Sequence, residues 1–205
     1  VTNMAGTTIP LYIMTSEKND EETRRFFEEK NYFGYPREDV KFFVQEMAAA
    51  VDYQGRLLLE EKGRLATSPN GNGGWFSSLA KAGLLDDVHD RGVEWINIFA
   101  VDNVLQRIVD PTFIGATILS GSESGSKVIR KVEPREKMGV LCKEDGKPSI
   151  VEYYEMTEEM ATAVDEKGDL LYAFGVILNY LFRVDKLEEI VAKKLPAHIV
   201  EKKIP

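Results

Sequence analysis

The chain has 205 residues and is 43% hydrophobic, close to the globular average, so it can bury a sizeable core as one large or two small domains. Its formal net charge is −8 and its isoelectric point lies near 5.0, which argues against a nucleic-acid partner, since such proteins carry a basic face. The longest apolar run, Leu170 to Leu178, is too short for a membrane span, no secretory leader is visible, and the single cysteine, Cys142, excludes an internal disulfide framework and fits a reduced, cytoplasmic setting.

In chain order, Pro10 to Thr15 is short, apolar and β-prone and reads as a buried strand. Asn19 then offers an N-cap to a helix with an acidic first turn that runs toward Lys30, with Phe26 and Phe27 inward, and Gly34 and Pro36 punctuate its end. Val40 to Val44 reads as a second strand, and Gln54-Gly55 as a turn ahead of a strand from Leu57 to Glu60. Helices are predicted from Trp75 to Lys81, terminated by Gly83, and from Leu84 to Asp90. Trp95 to Val101 is the strongest strand signal in the chain, and a helix over Pro111 to Leu119 follows with Pro in its first turn. Beyond Lys127 come the short strands KVIRKV, MGVLCK and SIVEYYE, with Asp145-Gly146 as a hairpin turn. A helix near Thr157 to Val164, a strand near Leu170 to Phe174 and a helix starting near Ile177 complete the pattern. Strands alternating with helices, then a meander, predict an α/β fold with a mixed sheet.

Three places could carry chemistry. The stretch Pro69-Asn70-Gly71-Asn72-Gly73-Gly74 lies directly before a helix; it is either a plain surface turn or a loop whose backbone must approach a ligand closely. Asp102, at the end of an apolar strand, could hold Mg²⁺ against phosphate oxygens or merely cap the next turn. Glu152 alternates with Val151 and Tyr153; a glutamate on a strand can accept paired sugar hydroxyls, and otherwise belongs to a solvated face. Cys142 reads as a packing residue, His89 and His198 share no zinc-ligand spacing, and Lys127, Arg130 and Lys131 could reach phosphates or lie on a charged, solvated face.

The ordered series IPLYIMTS, YFG, FFVQEM, LLLEEK, SPNGNGG, VDN, DPTFIG, MGV, VEYYE and HIVEKKIP resembles the eukaryotic UDP-N-acetylglucosamine pyrophosphorylases, from about Ile9 to Pro205. The resemblance implies a glycosyltransferase-A-like (Rossmann-like) α/β fold, with a mixed sheet flanked by helices. It also implies a uridylyltransferase that makes UDP-N-acetylglucosamine and pyrophosphate from UTP and N-acetylglucosamine 1-phosphate, with Mg²⁺ or Mn²⁺ assisting. Matched motif by motif, Gln45 corresponds to the uracil contact, and Pro69, Asn70, Gly71, Asn72 and Gly73 to the loop around uridine and sugar. Asp102, with Asn103 beside it, corresponds to the catalytic acid at the metal and phosphates, and Gly139 and Glu152 to the sugar contacts. The family's L-x-G-G-x-G-T nucleotide loop precedes the matched region and its C-terminal domain follows it. The chain is therefore expected to be the central part of one catalytic domain, incomplete at the N-terminus and inactive by itself. The Val start and the ending EKKIP agree with a cut chain.

Two positions depart from the family pattern. Asn70 stands where the family has Asp, and Val176, in Ala173-Phe174-Gly175-Val176, stands where the family has a sugar-contacting Asn. Val176 keeps other sugar 1-phosphates, such as glucose or N-acetylgalactosamine, in play. The two changes and the missing loop also leave a non-catalytic nucleotide-sugar-binding domain as an alternative. Oligomeric state is open.

Overall fold

The computed structural model describes residues 5–191, and these fall into two compact units, one comprising the chain up to Val93 together with Leu187 onward, the other Glu94–Lys186. Among the described residues no helix is long and apolar enough to cross a membrane. The whole HIVEKKIP motif, His198 included, lies outside the described residues.

In the first unit, β1 (Leu11–Thr15) pairs in parallel with β2 (Val40–Val44) through the crossover helix α1 (Asp20–Glu29). Three small strands follow β2 and its continuation β3 (Met47–Ala49): β4 (Leu59–Glu61), β5 (Arg64–Leu65) and β6 (Thr67–Pro69), of which β6 returns antiparallel to β3. Helices α2 (Trp75–Lys81) and α3 (Leu85–Asp90) complete the unit. Its core is built on Val40 and Phe43 of β2, Phe76 and Leu79 of α2, and Val88 of α3, all buried. Gly83, at φ +73°, ends α2 as expected, and Leu84 N–H reaches back to the Leu79 carbonyl at 3.2 Å.

Two details of α1 differ from expectation. Asn19 stands at the N-cap position as expected, but its side chain makes no capping bond: its oxygen accepts instead from the Ser16 amide at 2.7 Å. Phe26 is 47% exposed, its ring tilted against Phe33, so only Phe27 faces inward, where it meets Phe42 edge-on at 5.2 Å.

The second unit is a five-stranded antiparallel sheet of β7 (Trp95–Phe99), β8 (Ser124–Arg130), β9 (Val140–Glu144), β10 (Lys147–Val151) and β11 (Phe174–Arg183). Helix α4 (Pro111–Leu119) starts where expected; Asp110 accepts from the Thr112 amide at 3.1 Å. Helix α5 (Glu158–Thr162) is capped by Thr157, and α6 (Val184–Val191) continues β11. The Asp145-Gly146 turn, with φ of +49° and +78°, joins β9 to β10.

The long strand β11 corrects the reading of Leu170 to Phe174 as a strand and of Ile177 as a helix start. Its register explains the outcome. β8 lies along one edge, while β9 and then β7 lie along the other, and from Gly175 onward the side chains on both faces are buried or half-buried, so they read as a continuous apolar run. Of Lys127, Arg130 and Lys131, Arg130 lies on an exposed, solvated face, whereas the other two are drawn inward. Lys127 pairs with Asp110 at 2.8 Å, Arg130 with Asp169 at 2.6 Å, and Lys131 is buried with its ammonium on the Pro134 carbonyl. Cys142 is only half-buried, opposite Ser149 in the β9–β10 ladder.

Candidate functional site

The first group of candidate residues follows from how β2 ends. The Gln45 amide donates to the Thr15 carbonyl at 2.8 Å, which places Gln45 just beyond the carboxyl ends of both parallel strands, the position where ligands bind in open α/β sheets. β3 then pairs Met47 with Pro69, and the Asn70 amide donates to the Glu46 carbonyl at 3.1 Å. This short ladder brings Gln45 and the glycine loop together. Glu46 fastens the arrangement to α2: its amide donates to Ser78 Oγ at 3.2 Å, and its carboxylate pairs with Lys81.

The loop residues Pro69 to Gly73 are exposed. Gly71 has φ +80° and ψ 169°, a conformation essentially restricted to glycine. Neither Gly71 nor Gly73 would bring an added Cβ within 4 Å of any protein atom. The fold's own packing therefore gives no reason for Gly73 to lack a side chain. Asn72 to Gly74 form a single 3₁₀ turn that leads into α2.

In the second unit, Gly139, Glu152 and Val176 come together. The Val176 amide donates to the Gly139 carbonyl at 2.9 Å, and a Cβ on Gly139 would lie 3.2 Å from Glu152 Oε2. The alternation expected around Glu152 stops earlier than the sequence implied. β10 ends at Val151, and Glu152 opens a turn in which its carbonyl accepts from the Glu155 amide at 2.9 Å. Val151, Tyr153 and Glu152 therefore do not alternate along one strand. The carboxylate is flanked by phenols: burial, then the Glu152 charge, pushes the Tyr180 hydroxyl above its ordinary range, and burial followed by the same charge does so for Tyr154.

Asp102 and Asn103 occupy a turn directly after β7, which ends at Phe99 rather than Val101. Asp102 is exposed, and the Asn103 side chain accepts from the Leu105 amide at 3.3 Å. Sequence reasoning missed what holds this turn. Asn97, Gln106 and the fully buried Asn179 form one hydrogen-bonded set beneath it. The available signal was a polar residue in the middle of each of two strongly apolar strands, WINIF and FGVILNYLFR.

Among the described residues, no three His, Cys, Asp or Glu side chains gather into a metal-binding cluster. A lone, exposed Asp102 still fits Mg²⁺ or Mn²⁺ chemistry of the kind in which one protein carboxylate and substrate phosphates share the ion. It does not fit a site made by the protein alone.

The family model described as UTP–glucose-1-phosphate uridylyltransferase matches residues 1–204. A UDP-N-acetylhexosamine pyrophosphorylase-like protein 1 of Xenopus tropicalis is 40% identical, covering 97% of this chain and 39% of the relative. A UDP-N-acetylglucosamine pyrophosphorylase of Saccharomyces cerevisiae is 38% identical over 96% of this chain and 42% of the relative. The crystal structure of the Trypanosoma brucei uridine diphosphate N-acetylglucosamine pyrophosphorylase in complex with an inhibitor superposes with a TM-score of 0.84 at 32% identity, over 94% of this chain and 39% of that one. The chain thus spans about two fifths of the length of the curated relatives it matches. On the match of the family model along nearly its whole length, this chain belongs to the UTP–glucose-1-phosphate uridylyltransferase family.

Proposed function

We propose that the chain supplies the central part of a nucleotidyltransferase domain that forms UDP-N-acetylglucosamine and pyrophosphate from UTP and N-acetylglucosamine 1-phosphate. The observation that carries this reading is the exposed loop Pro69 to Gly73, fixed from behind by Glu46, in which Gly71 takes a glycine-only conformation and the protein's own packing gives no reason for Gly73 to lack a side chain. Such a loop suits close backbone approach to a ligand. The fold is read, on the same basis, as glycosyltransferase-A-like.

In this reading Gln45 takes the uracil edge, and Pro69, Asn70, Gly71, Asn72 and Gly73 lie along the uridine. Gly139 leaves room for the sugar beside Glu152, whose carboxylate accepts its hydroxyls. Asp102, with Asn103 next to it, faces the phosphates and would hold Mg²⁺ or Mn²⁺. When bound, that ion neutralises charge on the phosphate oxygens during in-line attack of the sugar phosphate on the α-phosphorus. The protein's own share is positioning and the exclusion of wrong geometry. The proposed setting is the cytoplasm.

Val176 favours a second reading of the same class. Its amide is tied to Gly139, so its side chain stands at the sugar group of residues, and it offers no hydrogen bond where an amide is the family pattern. A polar group left unpaired there costs roughly 1–3 kcal/mol. A panel of UDP-N-acetylglucosamine, UDP-N-acetylgalactosamine and UDP-glucose, offered to the intact protein with pyrophosphate and Mg²⁺, tests both. Preference for the N-acetylglucosamine donor is expected. Preference for another sugar moves the assignment to that substrate, and no turnover of any of the three overturns the catalytic reading.

A further inference from the structure

The turn that carries Asp102 is held in an unusual way. Val101, Val104 and Leu105 are 87%, 86% and 91% exposed, so apolar burial does not fix it. Its order comes from polar side chains reaching out of the sheet. Asn179, fully buried in β11, donates from Nδ2 to Gln106 Oε1 at 3.0 Å and to the Arg107 carbonyl at 3.3 Å. Its Oδ1 accepts from Asn97 Nδ2 at 3.0 Å. Asn97 Oδ1 in turn accepts from the Val109 amide at 2.7 Å, and Gln106 Nε2 closes the turn on the Ala100 carbonyl at 2.5 Å.

The strand is distorted at the same place. Between the pairs Val176↔Val128 and Tyr180↔Ser126, β11 advances four residues while β8 advances two, and Leu178 takes φ +50°. A bulge of this kind re-aims a side chain, and a non-glycine residue at positive φ persists only where its surroundings insist on it. The residue next to the distortion is Asn179.

We infer that Asn179 is a positioning residue for the Asp102 turn, acting through Gln106 and the Arg107 carbonyl, with Asn97 as its brace. The inference rests on the reading of Asp102 as the carboxylate that faces cation and phosphates. Partners that orient a metal ligand from behind typically change metal affinity by about 10–100-fold when removed.

The test uses the intact protein and the variants Gln106→Ala, Asn179→Asp and Asp102→Asn. Gln106 is only partly buried, so Gln106→Ala removes the side-chain link, leaving the bond to the Arg107 carbonyl, with the sheet intact even if Asn179→Asp does not fold. Two quantities are read: hydrogen exchange of amides 101–109, and Mn²⁺ affinity by electron paramagnetic resonance with UDP-N-acetylglucosamine bound. The expected result for Gln106→Ala is faster exchange confined to 101–109, unchanged exchange in β7 and an unchanged melting temperature. Its Mn²⁺ affinity is expected to be lower by about tenfold, with sugar-nucleotide affinity in the absence of metal unaffected. Wild-type loop exchange and Mn²⁺ affinity in Gln106→Ala overturn the positioning role, provided Asp102→Asn does lose Mn²⁺ affinity. Undiminished Mn²⁺ affinity in Asp102→Asn instead overturns the assignment of Asp102 and the inference with it.

Discussion

A methyl group added to Gly139 would lie 3.2 Å from Glu152 Oε2 and 3.2 Å from Ile150 Cγ2. That is tighter than an ordinary carbon contact, so the carboxylate must give way. Gly139→Ala is therefore expected to weaken UDP-N-acetylglucosamine binding by about tenfold, the equivalent of one charged hydrogen bond, with little loss of stability; calorimetric titration beside the unaltered protein checks it. The same substitution at Gly175 should behave differently, because the added Cβ would overlap the Met138 side chain. Gly175→Ala is expected to cost about 1–3 kcal/mol of stability by overpacking, read from urea unfolding. In the sequence, both glycines stood inside recognisable motifs, but only the motif order gave them a meaning. Neither spacing nor composition could reveal that one glycine faces a carboxylate and the other a half-buried thioether, since both neighbours arrive from elsewhere in the chain.

At the scale of elements, charge placement sets the response to acid. The Arg24 side chain, with help from the Thr15 hydroxyl, holds the Asp20 carboxyl below its ordinary value of 3.8. Lys127 does the same for Asp110. At Asp87 burial pushes upward but is outweighed by the Tyr12 hydroxyl and Arg91, so the net direction is again down. A carboxyl depressed in the folded state stabilises fully above its ordinary pKa, and that contribution is lost as pH falls through the folded value. The melting temperature should thus hold between neutrality and about pH 5 and fall below about pH 4. A variant with Asp20→Asn, Asp87→Asn and Asp110→Asn should start lower and show a shallower fall on acidification; an equal acid slope in the two proteins would refute the assignment.

Element type was legible where local chemistry decided it. Helix α4 is announced by Asp110-Pro111, α2 by its terminating Gly83, and the β9–β10 hairpin by Asp145-Gly146. It was not legible in β11, because an apolar run buried or half-buried on both faces has no two-residue period to set it apart from a buried helix. The strands β3 to β6, of two or three residues each, carry too few side chains to show a period at all.

At the scale of the whole molecule, each unit has its own core, around Leu79 and Val88 in one and around Val140 and Leu181 in the other. Leu79→Ala and Leu181→Ala should each cost about 2–5 kcal/mol, measured by denaturant unfolding. Because the chain spans about two fifths of its relatives, we expect the 205-residue chain alone to show no pyrophosphorolysis, and detectable turnover by it would refute that expectation.

One strand of the second unit has a bearing on how such a protein could change its substrate. Val176, bound to Gly139, and Asn179, beneath the Asp102 turn, are three residues apart on β11. At about 3.3 Å per residue, they stand at most roughly 10 Å from each other. The chain itself is then the ruler between the sugar group and the carboxylate turn. A larger sugar could be admitted by trimming side chains at the Val176 end. Lengthening the ruler would mean adding to a bulge that already holds two residues more than the β8 stretch beside it. In this architecture, specificity can drift by substitution while the span between the two ends of the substrate stays constant.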